Sequence, residues 1–426
     1  MTVSSRRRVL ALAGTSLAGL AAPAIVRAQT RSLQAFGHRV HQAVTNGPGG
    51  DVLAGWRSAE KAEVNWTTLG DVSAINERLM REAALSETSI DLAHLVNGRA
   101  VPRTLALFEP LEAHMQRAPI EDFADISPGL VAPMRLDGSL RAVPMRHATN
   151  TLIWNEAIFA ERGIAGPPKT LEELLEAARK LTFTRADGTQ VFGLVFTTVF
   201  ASNFLSVARA LNGDYMTLDG RVVCAEPPMV KALAALADLH KSGAMPRNMN
   251  AMNNEEITTW IQQGRVAMTI NPFARVVSYN DPATSRAPGR IKAAAMPMAA
   301  DLVGKVPYAA TTEYWSYAIP RNSRNKELAW TLIRALSAKT GTLGMALNGN
   351  GPVRVSTYSD PAFANGLPHA ALEAQALKDA RIHLPAFDNQ ARAHDVFVEE
   401  SQAVMLGMKP ADRAMADAER RVKAML

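Results

Sequence analysis

The stretch that most constrains the fold runs from Asp137 to Leu175, DGSLRAVPMRHATNTLIWNEAIFAERGIAGPPKTLEELL. Asp137-Gly138 reads as a turn. An apolar strand follows through Ala142-Val143-Pro144, then a second extended run, Thr151-Leu152-Ile153-Trp154, rich in residues that suit a pleated, half-buried surface. Asn155 is placed to cap a short helix over 157–162, Gly163 to end it, and Pro167-Pro168 to stiffen the loop beyond. Thr170-Leu171-Glu172-Glu173 is a capping box whose hydroxyl and carboxylate satisfy the first free amides of the next helix. Two strands feeding a helix in this order belong to an α/β core.

Upstream, strand-like and helix-like segments alternate. Residues 31–36 predict a strand, 51–62 a helix, 63–69 a strand, 71–85 a helix capped by Asp71, and 90–96 an apolar strand. Such alternation predicts a parallel sheet covered by helices on both faces, with the ligand crevice at the carboxyl ends of the strands. The loops at Gly37-His38 and Asn97-Gly98 are placed to line it. His38 and His41 lie three apart, but no third ligand is near, and the pattern argues against a metal. A chain of 426 residues with 47% hydrophobic content is long enough for two packed lobes.

Counted over the whole chain, charge favours an acidic partner, with 46 Lys plus Arg against 40 Asp plus Glu. Four of those arginines, Arg6, Arg7, Arg8 and Arg27, lie in the first 28 residues, so the remainder is 42 against 40, a net of +2. No basic tract is left to track a phosphate backbone, which excludes nucleic acid as the expected partner. The same 28 residues carry a basic start, an apolar run over 9–22 and Val26-Arg27-Ala28 as a cleavage signal, and so read as an export signal. Ser5-Arg6-Arg7-Arg8-Val9-Leu10 resembles the twin-arginine pattern. The lone Cys224 reads as a buried apolar residue, and with no cysteine at the cleavage site a free periplasmic protein without a lipid anchor is expected.

In the second half, Asn254 to Gly264 predicts a capped helix stopped by glycine, and Arg265 to Ile270 a strand running into Asn271-Pro272-Phe273. Further on come Glu313-Tyr314-Trp315-Ser316-Tyr317-Ala318-Ile319-Pro320 with a helix from Asn325, and then Asn348-Gly349-Asn350-Gly351-Pro352-Val353-Arg354. Together with Val143-Pro144, Trp154-Asn155 and Phe159, these four ordered blocks resemble the carbohydrate-type extracellular solute-binding proteins that serve bacterial ABC importers. The match departs in two places. One glycine of the family's Gly-Pro-Trp is missing ahead of Phe273, which stands in for Trp. Glu313 and Tyr314 occupy positions where paired glycines let a sugar approach the backbone.

The resemblance implies a two-lobed α/β periplasmic binding fold, each lobe a mainly parallel sheet flanked by helices and joined by crossing hinge strands. Lobe 1 is expected over 29–148 and 302–349, lobe 2 over 149–301 and 350–426. It implies a monomer that binds a small polar molecule, a sugar or oligosaccharide, by hinge closure, works with ABC permease subunits, and needs no cofactor. Ligand-facing positions are expected at His38, Asn97, His147, Asn150, Phe200, Phe273, Glu313, Tyr314, Trp315, Asn348 and Arg354. Rings would carry the C–H faces and polar groups the hydroxyls. Arg146, Arg275, His38 and Glu313 leave the ligand's charge open between a neutral sugar, a sugar acid and a phosphorylated polyol. An exported carbohydrate-active enzyme and a ferric-ion binder are the competing classes. No nucleophile elbow, zinc helix or phosphate loop is present for the first, and six tyrosines are too dispersed for the second.

Overall fold

The computed structural model describes residues 31–426, so the export signal read over 1–28 lies outside the described residues. Eight strands carry the architecture: β1 (Arg31–His38), β2 (Ala62–Leu69), β3 (Leu92–Val96), β4 (Val143–Asn155), β5 (Gln190–Leu194), β6 (Val266–Pro272), β7 (Ile291–Ala294) and β8 (Thr312–Ala318). They form one path in the order β2-β1-β3-β8-β4-β6-β5, with a two-residue strand at Phe183–Thr184 beyond β5 and β7 paired to β4. Pairing is parallel within β1, β2 and β3 and within β5 and β6, and antiparallel wherever β4 or β8 takes part.

The 13 residues of β4 belong to two bodies. Its first half pairs with β8, Val143 to Thr149 facing Tyr317 to Thr312. Its second half pairs with β6 and β7, Asn150 to Trp154 facing Pro272 to Met268. The side chains divide accordingly: Val143 and Met145 join a core with Leu33, Phe36, Leu95 and Trp330, while Leu152 and Trp154 join another with Phe204, Leu233 and Phe397. A third apolar cluster, around Ile153, Ile257 and Tyr279, fills the other face of the second lobe.

The chain crosses between lobes three times: within β4 at Thr149-Asn150, just before β8 at Thr311, and near Arg381. At the third crossing the Arg381 amide donates to the Ala310 carbonyl at 2.8 Å, and the Thr312 amide donates to the Arg381 carbonyl at 3.0 Å. We therefore place the lobe boundaries later than expected. Tyr308 packs on the second core, while Val353, Tyr358, Phe363, Ala370 and Leu377 belong to the first. The Asn348 to Arg354 loop does not lead across, because it is nailed to lobe 1. The Arg354 guanidinium, 0% exposed, donates to the Ser337 and Asp122 carbonyls, each at 2.8 Å, and pairs with Asp125 at 3.1 Å. Asn348 accepts from the Gly49 amide and donates to the Val44 and Gly50 carbonyls.

Candidate ligand-binding cleft

Side chains alternate along a strand, so β4 presents Arg146 and Ala148 to one face and His147 and Thr149 to the other. The register with β8 extends both rows. Arg146 lies opposite Trp315 and Ala148 opposite Glu313; His147 lies opposite Tyr314 and Thr149 opposite Thr312. The His147 row is covered. His147 Nε2 lies 2.6 Å from the Tyr358 hydroxyl and 3.5 Å from Glu373, which stands in the helix Ala370–Lys378 behind the hinge. Thr149 bonds to His147 Nδ1 at 2.8 Å and donates to the Thr312 hydroxyl at 2.9 Å. The Arg146 row opens between the lobes, and there Arg146 and Glu313 keep partial exposure amid buried neighbours.

Around this row the carboxyl ends of the lobe 1 strands converge. Trp315 meets His41 edge-on at 4.7 Å between centroids and His38 at 6.1 Å. His38 ends β1 and caps the short helix Arg39–Ala43: its Nδ1 accepts from the Val40 amide and its Nε2 faces the Gly70 carbonyl at 3.1 Å. Asn97 follows β3, and its Oδ1 accepts from the Tyr314 amide at 2.9 Å. Its Nδ2, though buried, has no partner among the described residues. From lobe 2 the loop after β5 brings Val199 and Phe200, 47% and 42% exposed, and Arg275 follows β6. One flank is bridged: the Arg103 amide of lobe 1 donates to Asp388 of lobe 2 at 3.3 Å.

The electrostatics of the open row are unbalanced. Burial raises the Glu313 carboxyl's pKa, and the charge of Arg146 opposes that rise. Burial lowers the pKa of Arg146; the Glu313 carboxylate opposes that fall, and the like charge of Arg275 adds to it. Among the described residues, no side-chain hydrogen bond and no ion pair within 4 Å engages Arg146, Arg275 or Glu313. His38 is held below the ordinary histidine range by burial and by the charges of Arg146 and Arg39, so it is neutral at pH 7.

Of the positions expected from sequence, His38, Asn97, Glu313 and Trp315 lie together at the lobe 1 strand ends, and Phe200 stands exposed in the lobe 2 loop after β5. The others are corrected. His147 and Tyr314, 1% and 0% exposed, face the sealed side of the hinge. Asn150 is spent inside lobe 2, donating to Asn203 Oδ1 at 3.0 Å and to Ser206. Phe273, 1% exposed, stacks on His369 at 5.6 Å and lines a cavity of about 240 Å³ behind the hinge with Tyr308, Leu372 and Ala376. Asn348 and Arg354 are loop anchors within lobe 1. Phe273 comes directly after β6, whose last residue, Pro272, pairs with Asn150. It lands beside Thr149, whose carbonyl accepts from the Phe273 amide at 3.1 Å. Tyr358, Glu373 and His369, which close the sealed side, carry no local pattern that singles them out. Among the described residues no cluster of three or more His, Cys, Asp or Glu could hold a metal, and no helix is long and apolar enough to cross a membrane.

Two lobes with separate cores, a strand shared between them and a polar cleft at the strand ends define a hinged α/β binding protein. Residues 58–370 match the bacterial extracellular solute-binding protein family, and the chain belongs to that family. Solved structures share the fold. The maltose-bound MalE3 of T. maritima superposes with a TM-score of 0.79 at 23% identity, covering 93% of this chain and all of that one (100%). A ribitol-bound solute-binding protein of Agrobacterium radiobacter gives 0.77 at 20%, covering 93% and 99%. Among curated relatives, an erythritol/L-threitol-binding protein of Mycolicibacterium smegmatis is 26% identical over 56% of this chain and 52% of its own length. A probable amino-acid ABC transporter periplasmic-binding protein of Sinorhizobium fredii is 21% identical over 68% and 65%. The match spans about half to two thirds of those curated relatives.

Proposed function

We propose that this chain is the solute-capturing component of an ABC importer. It takes a small polar solute of the sugar or polyol kind into the cleft, closes on it at the three crossings, and presents the closed form to the permease subunits. The observation that carries this reading is β4, one strand whose halves are owned by two different cores, so that bending it moves one lobe against the other. Contacts contributed by both lobes favour the closed form, which makes capture and closure one equilibrium. The polyol, maltose and ribitol named for its relatives and structural neighbours support a polyhydroxylated ligand. The protein acts in the periplasm after twin-arginine export, as a monomer. Binding is favoured over turnover because the open row offers one carboxylate, Glu313, where glycoside hydrolysis calls for a pair.

A thermal-shift screen of the chain from Gln29 tests this, with neutral sugars, polyols, sugar acids, amino acids, glycerol 3-phosphate and ferric citrate as probes. A true ligand raises the melting temperature with concentration, through a stabilisation of about 4 kcal/mol at a thousandfold excess over Kd. A shift with ferric citrate alone, or none across the panel, would sink the reading.

A further inference from the structure

We infer that the solute is an anion: the cleft is built for a polyhydroxy acid or a polyol phosphate, its charged group held between Arg146 and Arg275 and its hydroxyls directed to Asn97 and Glu313. This rests on the solute-capture reading above. The geometry supplies the argument. Arg146 projects from the shared hinge strand on the row that opens between the lobes, opposite Trp315. Arg275 comes from lobe 2, three residues beyond Pro272, which itself pairs with Asn150 of that strand. An anion bound between the two arginines would be gripped from both lobes and would draw them together.

The side chains are also unspent. An enclosed guanidinium normally finds a carboxylate or several carbonyls, as Arg354 and Arg209 do in this same molecule. Arg146 and Arg275 find neither, and Arg146 and Glu313, though neighbours across the strand pair, stay farther apart than an ion pair. The buried Asn97 Nδ2 is a further donor without a partner among the described residues. The free groups of the cleft are thus mostly donors, two of them cationic, against one carboxylate. Arg39, exposed beside His38 at the end of β1, adds positive potential at the mouth. A neutral sugar would leave Arg146 and Arg275 without an anionic partner in contact, whereas a carboxylate or phosphate engages both through charge-assisted hydrogen bonds.

The test is isothermal titration of the full exported chain with matched pairs: glucose against gluconate, ribitol against ribonate, and glycerol against glycerol 3-phosphate. The acid of at least one pair should bind more tightly than its neutral partner, and that affinity should fall as salt is raised. The pair that responds separates a carboxylate from a phosphate ligand. Arg146→Gln and Arg275→Gln should each weaken the acid by about 10- to 100-fold and flatten the salt dependence of its binding. If Arg146→Gln fails to fold, Arg275→Gln and the salt dependence still decide. A neutral member binding as well as its acid, or arginine variants that keep full affinity for the acid, would overturn the charge assignment while leaving solute capture standing. Binding by no member of any pair would count against both.

Discussion

Glu373 is a carboxyl group sealed behind the hinge, 3% exposed, with His147 at 3.5 Å and the Tyr358 hydroxyl beside it. Burial pushes the Glu373 pKa up to about 8 and that of His147 down to about 3, so the contact joins two neutral groups and is not an ion pair. The consequences for stability have opposite signs. A carboxyl raised in the folded state stabilises fully below its unfolded pKa, and that contribution is lost as pH climbs toward 8. Every tenfold change in an ionisation constant between the unfolded and folded chain is worth about 1.4 kcal/mol. Depressed histidines act the other way: His94 and His369 at about 4 and His147 and His383 at about 3 cost stability as pH falls below the ordinary histidine value. Glu373→Gln keeps the shape and removes the alkaline penalty. It should raise the melting temperature at pH 8 by several degrees, leave it nearly unchanged at pH 5, and move the stability maximum upward. A calorimetric pH series checks this; equal shifts at both pH values would mean that Glu373 is ionised in the folded protein.

At the scale of elements, the strands and capped helices were legible because each announces itself locally. Thr170 accepts from the Glu173 amide, Asn155 caps the helix Glu156–Glu161, and Asp71 caps the helix Val72–Ala83, as their spacing predicts. Asn97, Glu313 and Trp315 could be placed from their position at strand ends and on the crossing strand. The direction of a side chain after an irregular link was not legible in this way. Motif likeness assigned Phe273 to the ligand, but the facing of a ring beyond the end of a strand is set by its packing, here against His369 and Thr149. Arg354 and Asn348 face away from the cleft for a reason of the same kind: their partners Asp122, Gly49 and Val44 are remote in sequence, so nothing local marks them as anchors. Phe273→Ala makes the distinction measurable. Truncating a buried ring should cost about 3–5 kcal/mol of stability while leaving solute affinity within a few-fold. A large loss of affinity without loss of stability would return Phe273 to the cleft.

At the scale of the molecule, two lobes held by three crossings move about one axis, and what lies on either side of that axis differs in kind. The rear is bonded shut: Thr149 to Thr312, His147 to Tyr358, and the Thr311 hydroxyl to Ser206 at 2.8 Å form a run of buried polar contacts spanning both lobes. The front carries unpaired groups and exposed Val199 and Phe200. A satisfied rear and an unsatisfied front make the hinge a pivot whose closed position lacks only the ligand's contacts, so a solute that binds both lobes shifts the population toward closure. Small-angle scattering should show the radius of gyration falling on saturation with the solute found by thermal shift. Substituting Arg275, the contribution of lobe 2, with glutamine should reduce that compaction at equal occupancy more than substituting Asn97, a contribution of lobe 1 already tied to the Tyr314 amide. An unchanged radius at full occupancy would mean that the cleft binds without closing, and the importer would then have no change of shape to read.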